Sequence, residues 1–258
     1  MTDIKTKVIL VGIGGASCSG KSTLVKHLAD ILPHSIIVRQ DDFFVPNEML
    51  PTLQGLYPKN WDVPSAIDWP GMLKVLQDVK RTGSIPLDHI GPDDCYDVGD
   101  IPIDENKAVE WKARFGDLKQ RCLVAANVEV IWVLVEGFML YWNQQVTCQL
   151  DIRIFLRLPE HTLKERREAR NGRLLAAQSA LVDPEGYWDS IGYPEYIRAH
   201  KDLFKDGDVE SGPPKEDSDL VNGLLLIEPE VKQKKMDMLD IVEVCLEKIA
   251  SHSAGTGY

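Results

Sequence analysis

Apolar residues follow two rhythms along this chain. Unbroken β-branched and aliphatic runs mark strands, and apolar positions three and four apart mark helices. The first run, KVILVGI over 7–13, precedes STLVKHLADIL over 22–32, where Leu24, Val25, Leu28 and Leu32 share a face. SIIVR over 35–39 reads as a second strand, and residues 45–64, rich in Pro, Gly and Asn, as a loop. Pro70 suits a first helical position and Gly83 a helix end. Residues 84–103 have no clear period and read as irregular; residues 104–122 read as a helix capped by Asp104. VEVIWVLV over 128–135 is almost wholly apolar, as a central parallel strand buried on both faces would be. IRIFLRL over 152–158 follows as a fourth strand, then a charged helix from Pro159 to Asn171 and a loop to about Tyr193. Residues 194–205 read as helical, and the acidic, Pro/Gly-bearing run 206–222 as a mobile surface loop. Leu224–Ile227 is a fifth strand, 236–250 a last helix, and the tail SHSAGTGY is expected to fray.

Strands alternating with helices imply an α/β fold: a five-stranded parallel sheet with helices on both faces. Ligands bind such sheets at the carboxyl ends of the strands. Three informative segments fall there: Gly15–Ser22 after the first strand, Asp41 after the second and Glu136 after the third.

Composition narrows the classes. The 258 residues are 44% hydrophobic and 27% charged, as in an ordinary globular protein, and carry a net charge of −11, which disfavours nonspecific nucleic-acid binding. No apolar stretch nears the roughly 20 residues that span a bilayer, and the first strand starts too early to leave room for a secretion signal. Cysteines 18, 95, 122, 148 and 245 are scattered without C-x-x-C spacing, the pattern of reduced thiols in the cytosol or the connected nuclear compartment. The six histidines lack metal-ligand spacing, and no obligate protein partner is evident.

Gly15-Ala16-Ser17-Cys18-Ser19-Gly20-Lys21-Ser22 matches G-x-x-x-x-G-K-[ST], the nucleotide phosphate-binding loop, between a strand and a helix as that loop requires. Its glycines let backbone N–H groups surround phosphate oxygens, Lys21 can reach the β- and γ-phosphates, and the Ser22 hydroxyl can bind Mg²⁺. Of the adjacent Asp41 and Asp42, one suits a general base and metal contact and the other a local turn; Asp41 is the better candidate for chemistry. Glu136, at the end of a buried strand, needs a metal, water or a donor, or else faces solvent. Arg166 and Arg170 share a helix face and Arg167 points aside; they bind phosphate or form a solvated face with Glu165 and Glu168. Trp61 beside Asp62 suits an aromatic ring joined to a sugar, or is a packing anchor.

With these residues in place the chain resembles the fungal nicotinamide riboside kinases, within the P-loop nucleoside and nucleotide kinases. The pieces GGASCSGKST, QDDFF, NWDVPSAID, VEGFMLYWN, LKERREARNG and VDPEGYWDSIGYPEYIRAH appear in the family's order across most of residues 7–205. The resemblance implies one kinase domain over 1–258, with a substrate-side loop at 45–64 and a lid at 164–193. It implies transfer from ATP, with Mg²⁺, to the ribose 5′-hydroxyl of nicotinamide riboside, giving nicotinamide mononucleotide in NAD salvage. Residues Gly15 to Thr23 would hold ATP with Arg166 and Arg170, and Asp41 would be the base. Ser22, Asp41 and Glu136 would serve the metal, and Asp42, Phe43, Phe44, Trp61, Asp62 and Arg167 would meet the nucleoside. One departure stands out: where family members carry a lid tyrosine, this chain reads Arg170-Asn171-Gly172-Arg173, with no aromatic until Tyr187.

Other readings stay open here. A kinase for uridine, pantothenate or a similar alcohol would keep Lys21, Ser22 and Asp41 but need another base pocket. A regulatory protein that binds ATP without transfer would not need both Asp41 and Glu136. A dinucleotide-binding oxidoreductase fits poorly, since Gly12-Ile13-Gly14 is only a fragment of its motif. Nicotinic acid riboside as acceptor and GTP as donor are likewise left open.

Overall fold

The first strand, β1 (Lys5–Gly15), runs through the middle of the sheet in a computed structural model describing residues 4–52, 59–87, 89, 101–176, 182–216, 218, 220–231 and 234–255. After it come α1 (Lys21–Ile31), β2 (Ser35–Arg39), α2 (Trp69–Thr82), α3 (Glu105–Ala126) and β3 (Val128–Gly137). Then follow α4 (Gln144–Thr147), β4 (Ile152–Leu156), α5 (Glu160–Ala176), α6 (Tyr193–His200) and β5 (Leu225–Ile227). The short strands β6 (Glu230–Val231) and β7 (Lys234–Lys235) and helix α7 (Met238–Gly255) complete the order. The main sheet runs β2-β3-β1-β4-β5, with every neighbouring pair parallel. This is the five-stranded α/β fold that the alternation of strands and helices implies.

Side chains on a strand alternate between faces, so one run of apolar residues fills two cores. Leu10, Val133 and Val135 pack with Met72, Leu76 and Val79 of α2 and with Ala199 of α6. Ile9, Val11, Trp132 and Leu134 pack on the other face with Leu28 of α1, Phe115 of α3 and Leu246 of α7. Both layers are anchored by local signals. The Asp104 carboxylate caps α3, accepting from the N–H groups of Asn106 at 2.8 Å and Lys107 at 3.3 Å. Asp68 caps α2 by accepting from Gly71 N–H, and Gly83, at φ 71°, ends that helix.

Several segments differ from the sequence reading. Helix α7 continues to Gly255 rather than stopping at 250, because Ser253 is buried and its hydroxyl donates to the Ile249 carbonyl. Only residues 256–258 of the supposed frayed tail lie outside the described residues. The helix expected over 194–205 ends at His200 and passes into a tight turn at Lys201–Leu203. The expected loop before it contains a wide helical turn, Trp188–Gly192, with Trp188 and Ile191 buried. Described residues of the acidic run 206–222 have anchors in the core. Val209 and Val221 are buried, and Arg157 donates to the Gly212 carbonyl at 2.6 Å. Its charge hid these apolar anchors. The antiparallel pair β6–β7 was not foreseen.

The loop at 45–64 contains single turns at Asn47–Met49 and Pro64–Ala66, with 53–58 outside the described residues. Of the irregular stretch 84–103, residues 88 and 90–100 lie outside them, as do 177–181 of the lid region. Cys18, Cys148 and Cys245 are free thiols, and Cys95 lies outside the described residues. No helix among the described residues is long and apolar enough to cross a membrane.

Candidate active site at the carboxyl edge of the sheet

The phosphate loop begins where β1 ends. Gly15 has φ 140°, and a Cβ there would lie 2.4 Å from the Leu156 carbonyl oxygen, so no larger residue fits. Gly20, at φ 99°, takes the cap position of α1, and no side chain caps that helix. No acid occupies its first turn, where Lys21, Ser22 and Thr23 lie, so the first-turn N–H groups and the positive end of the helix dipole stay available to an anion. Between the glycines, Cys18 adopts the left-handed conformation at φ 64°. The Ser19 hydroxyl oxygen is buried and has no hydrogen-bond partner among the described residues. Lys21 is buried and donates from Nζ to the Ala16 carbonyl at 2.7 Å. Burial lowers its pKa from the ordinary value, outweighing the nearby Glu136 and Asp41 carboxylates.

Strand register brings the acids to this loop. Glu136 stands beside Ile13 of β1 and Arg39 of β2. Its Oε2 accepts from the Ser22 hydroxyl at 2.8 Å, and its Oε1 lies 3.4 Å from Arg39 Nε. Glu136 is therefore buried but paired, which answers the requirement set by its position. Asp41 sits two residues past β2 in a tight turn, Gln40–Phe43. Burial pushes its pKa up to about 6; Glu136 and Asp42 add to the rise, and Lys21 and Arg170 oppose it. A carboxylate so placed stays ionised at neutral pH while being a stronger base than a free aspartate.

Helix α5 spreads three arginines over two subsites. Arg166 Nη1 lies 3.9 Å from where a Cβ on Gly20 would stand, and Nη2 lies 3.7 Å from Glu230 Oε1. Arg170 donates from Nη1 to the Ser17 hydroxyl at 3.3 Å. Both thus border the phosphate loop. Arg167 turns the other way and is buried. Its Nη2 donates to Asp62 Oδ2 at 3.2 Å and to Asp183 Oδ1 at 3.1 Å, and its Nε to Asp183 Oδ2 at 2.6 Å. The guanidinium carbon lies 5.5 Å from the Tyr187 ring centre and 5.4 Å from that of Trp188. Burial alone would lower the Arg167 pKa, but Asp62 and Asp183 outweigh it and raise it. A cleft lined by Ala16, Ser17, Asp62, Phe138, Met139 and Arg167 joins the two subsites.

The aromatic residues divide. Trp61 is partly exposed at 37%, and Phe44 meets it edge-on at 5.1 Å and stacks on Phe138 at 5.8 Å. Phe43 instead belongs to the core and stacks on His89. Asp42 Oδ2 lies 3.7 Å from His89 Nε2. Burial raises the Asp42 pKa against the pull of His89 and Arg39. Asp42 and Phe43 do not line the cleft: both side chains are taken up by His89, Asp42 by its carboxylate and Phe43 by its ring. Tyr187, the next aromatic after the lid arginines, is buried against Arg167 and offers no exposed stacking face.

Sequence reasoning missed two residues. Gln40 is buried, and its Oε1 accepts from Met139 N–H at 2.9 Å, tying the segment after β2 to that after β3. Asp183 reaches Arg167 from sixteen positions away in the chain, so no helical spacing could announce it.

No protein-family model matches the chain. Among characterised proteins, it is 37% identical over 202 residues to the nicotinamide riboside kinase of Eremothecium gossypii, covering 78% of this chain and 80% of that one. Identity to the nicotinamide riboside kinase of Saccharomyces cerevisiae is 34% over 79% of this chain and 82% of that one. Identity to the enzyme of that name from Schizosaccharomyces pombe is 33% over 79% and 84%. A solved sugar kinase from a Janibacter species aligns over 97% of this chain and 99% of that one, at a TM-score of 0.43 and 11% identity, too loosely to bear on the fold.

Proposed function

The chain belongs to the nicotinamide riboside kinase family, and from that premise we infer its reaction: ATP and nicotinamide riboside give ADP and nicotinamide mononucleotide, a step of NAD salvage. The bond from the ribose 5′-oxygen to the γ-phosphorus forms, the β–γ bridging bond breaks, and the hydroxyl proton leaves to a base. The observation that carries this reading is the meeting of Lys21, the Ser22–Glu136 pair and Asp41 at one edge of the sheet, joined by a cleft to Asp62 and Arg167.

The residue roles are our proposal. Lys21 and the open N-terminus of α1 hold the polyphosphate, and the orphaned Ser19 hydroxyl and the uncapped first turn both fit an anionic occupant. Arg166 and Arg170 neutralise phosphate charge from the lid side. Asp41 takes the 5′-hydroxyl proton. Asp62 and Arg167 hold the ribose hydroxyls, and Trp61 stacks on the pyridinium ring.

The donor set also suits Mg²⁺. No group of three or more His, Cys, Asp or Glu able to hold a metal occurs among the described residues. An ion brought in on substrate phosphates needs few protein oxygens, and Ser22, Asp41 and Glu136 supply hard ones. Bound there, Mg²⁺ would offset phosphate charge as it shifts during transfer. We place the protein in the cytosol or the connected nuclear compartment, from its scattered cysteines.

The test is ADP release from Mg-ATP with a panel of nucleosides. Release that depends on nicotinamide riboside supports the reading. Turnover of uridine at least as efficient would replace it with a general nucleoside kinase, and no acceptor-dependent release with a nontransferring ATP binder.

A further inference from the structure

The nucleoside subsite has a support from outside the lid helix. Arg167 has five N–H donors in a rigid plane. Asp183 takes two of them side-on, through Nε at 2.6 Å and Nη2 at 3.1 Å, while Asp62 meets the end of the fork at 3.2 and 3.5 Å. Asp183 is itself held, since Asn171 Nδ2 donates to its Oδ2 at 3.0 Å. The same oxygen lies 3.9 Å from Arg170 Nη2, and Arg170 reaches Ser17 of the phosphate loop. Burial pushes the Asp183 carboxyl up, but Arg167 and Asn171 outweigh it and leave it below the usual range.

Charge bookkeeping gives this arrangement a purpose. Asp62 accepts from both ends of the fork, which uses about two of its four lone-pair sites and leaves the others for sugar hydroxyls. Asp183 holds the side of the guanidinium through Nε and Nη2, so Arg167 is fixed on two edges and cannot turn about its end-on contact with Asp62. The remaining Nη1 edge faces Gly192, where a Cβ would lie 3.5 Å away. A glycine there keeps that edge unobstructed.

We propose that Asp183 is a positioning residue of the transfer: it fixes the plane of Arg167 for the ribose and, through Arg170, ties the nucleoside subsite to the phosphate loop. This rests on the kinase reading above. It acts on substrate only through the two arginines, so its loss should weaken nucleoside binding and leave the phosphate chemistry nearly intact.

The experiment compares wild type, Asp183→Asn, Asp183→Glu and Asn171→Ala as full chains, with melting temperatures and steady-state kinetics in Mg-ATP and nicotinamide riboside. Losing the paired acceptor should raise the nucleoside KM of Asp183→Asn about tenfold, as expected for a charge-assisted hydrogen bond. Its kcat and ATP KM should stay within about threefold. Asp183→Glu should recover most of the nucleoside KM. If Asp183→Asn fails to fold, Asn171→Ala decides: it should raise the nucleoside KM about threefold, as loss of one neutral hydrogen bond would. An unchanged nucleoside KM in the folded variants overturns the proposal, and so does an equal loss for both substrates that Glu does not rescue. A wild type that phosphorylates no nucleoside would instead overturn the kinase reading, and the positioning role with it.

Discussion

Replacing Asp41 with Asn tests the chemistry most directly. The two side chains have the same shape, so the turn Gln40–Phe43 and the packing of Phe43 should survive. The charge, and with it the ability to take a proton, is lost. A general base contributes roughly 100- to 10,000-fold in rate, equal to about 2.7–5.4 kcal/mol of barrier. ATP binding should respond in the opposite sense. Asp41 and Lys21 attract one another, so removing the carboxylate leaves the Lys21 ammonium freer for phosphate. Affinity for ATP measured without Mg²⁺ should hold or tighten while kcat collapses.

The pH profile adds an independent readout. The base works deprotonated, and its pKa stands at about 6, so kcat/KM of wild type should be flat above that value. It should fall about tenfold per pH unit below it. The Asn variant should lack this acid limb. The assay is coupled ADP release from pH 5 to 8, with ATP affinity measured separately by titration calorimetry. Near-normal turnover in Asp41→Asn, or an acid limb that persists in it, would refute the assignment of the base.

Three further perturbations address other parts of the site and the core. Trp61→Ala removes a partly exposed indole braced by Phe44; its KM for nicotinamide riboside should rise about tenfold, the size of a cation–π contact near 1.4 kcal/mol, and an unchanged KM would count against stacking. Glu136→Gln keeps an acceptor for the Ser22 hydroxyl but loses the charge; the Mg²⁺ concentration for half-maximal rate should rise about tenfold or more, and an identical Mg²⁺ curve would remove Glu136 from the metal's surroundings. Burial lowers the His200 pKa from 6.5 to about 4, so the native state resists a proton that the unfolded state accepts. Stability from this neutral ring is full above pH 6.5 and is lost as pH falls toward 4, in all about 3 kcal/mol. Urea unfolding of His200→Phe at pH 7 and 4.5 should show a smaller acid loss than wild type, and equal losses would refute the linkage.

The parallel sheet was legible because its strands are buried on both faces and therefore read as unbroken apolar runs. Helix caps were legible for a similar reason: Asp104 and Gly83 act locally, on N–H and C=O groups within a turn of themselves. The anchors of the acidic run 206–222 were not legible because its composition is that of a free loop. Two buried valines and an arginine from β4's end hold it, and neither stands out in a charged sequence. The pair β6–β7 consists of two-residue strands, too short for any period to show.

Within the site, legibility followed chain distance. The phosphate loop lies within eight consecutive residues, and its requirements are backbone requirements, so the glycines and Lys21 could be read directly. The arginine helix was half legible. Spacing puts Arg166 and Arg170 on one face and Arg167 aside, yet only the fold shows that the first two border the phosphate loop while the third is buried between carboxylates. Asp42 shows the limit of adjacency: a one-residue step along a tight turn carries it to His89, while Asp41 lies in the electrostatic field of Lys21. The lid's missing tyrosine follows the same logic. Tyr187 is in the right part of the sequence to replace it, but its ring is already used as the floor beneath Arg167. Trp61, beside Asp62, is the more exposed aromatic residue, whereas Phe138, Trp188 and Tyr196 line the cleft itself from positions packed into the core. On the proposed function, a base stacked on Trp61 would draw on ring charge as well as on buried area, and a cationic pyridinium would then be held better than a neutral pyrimidine.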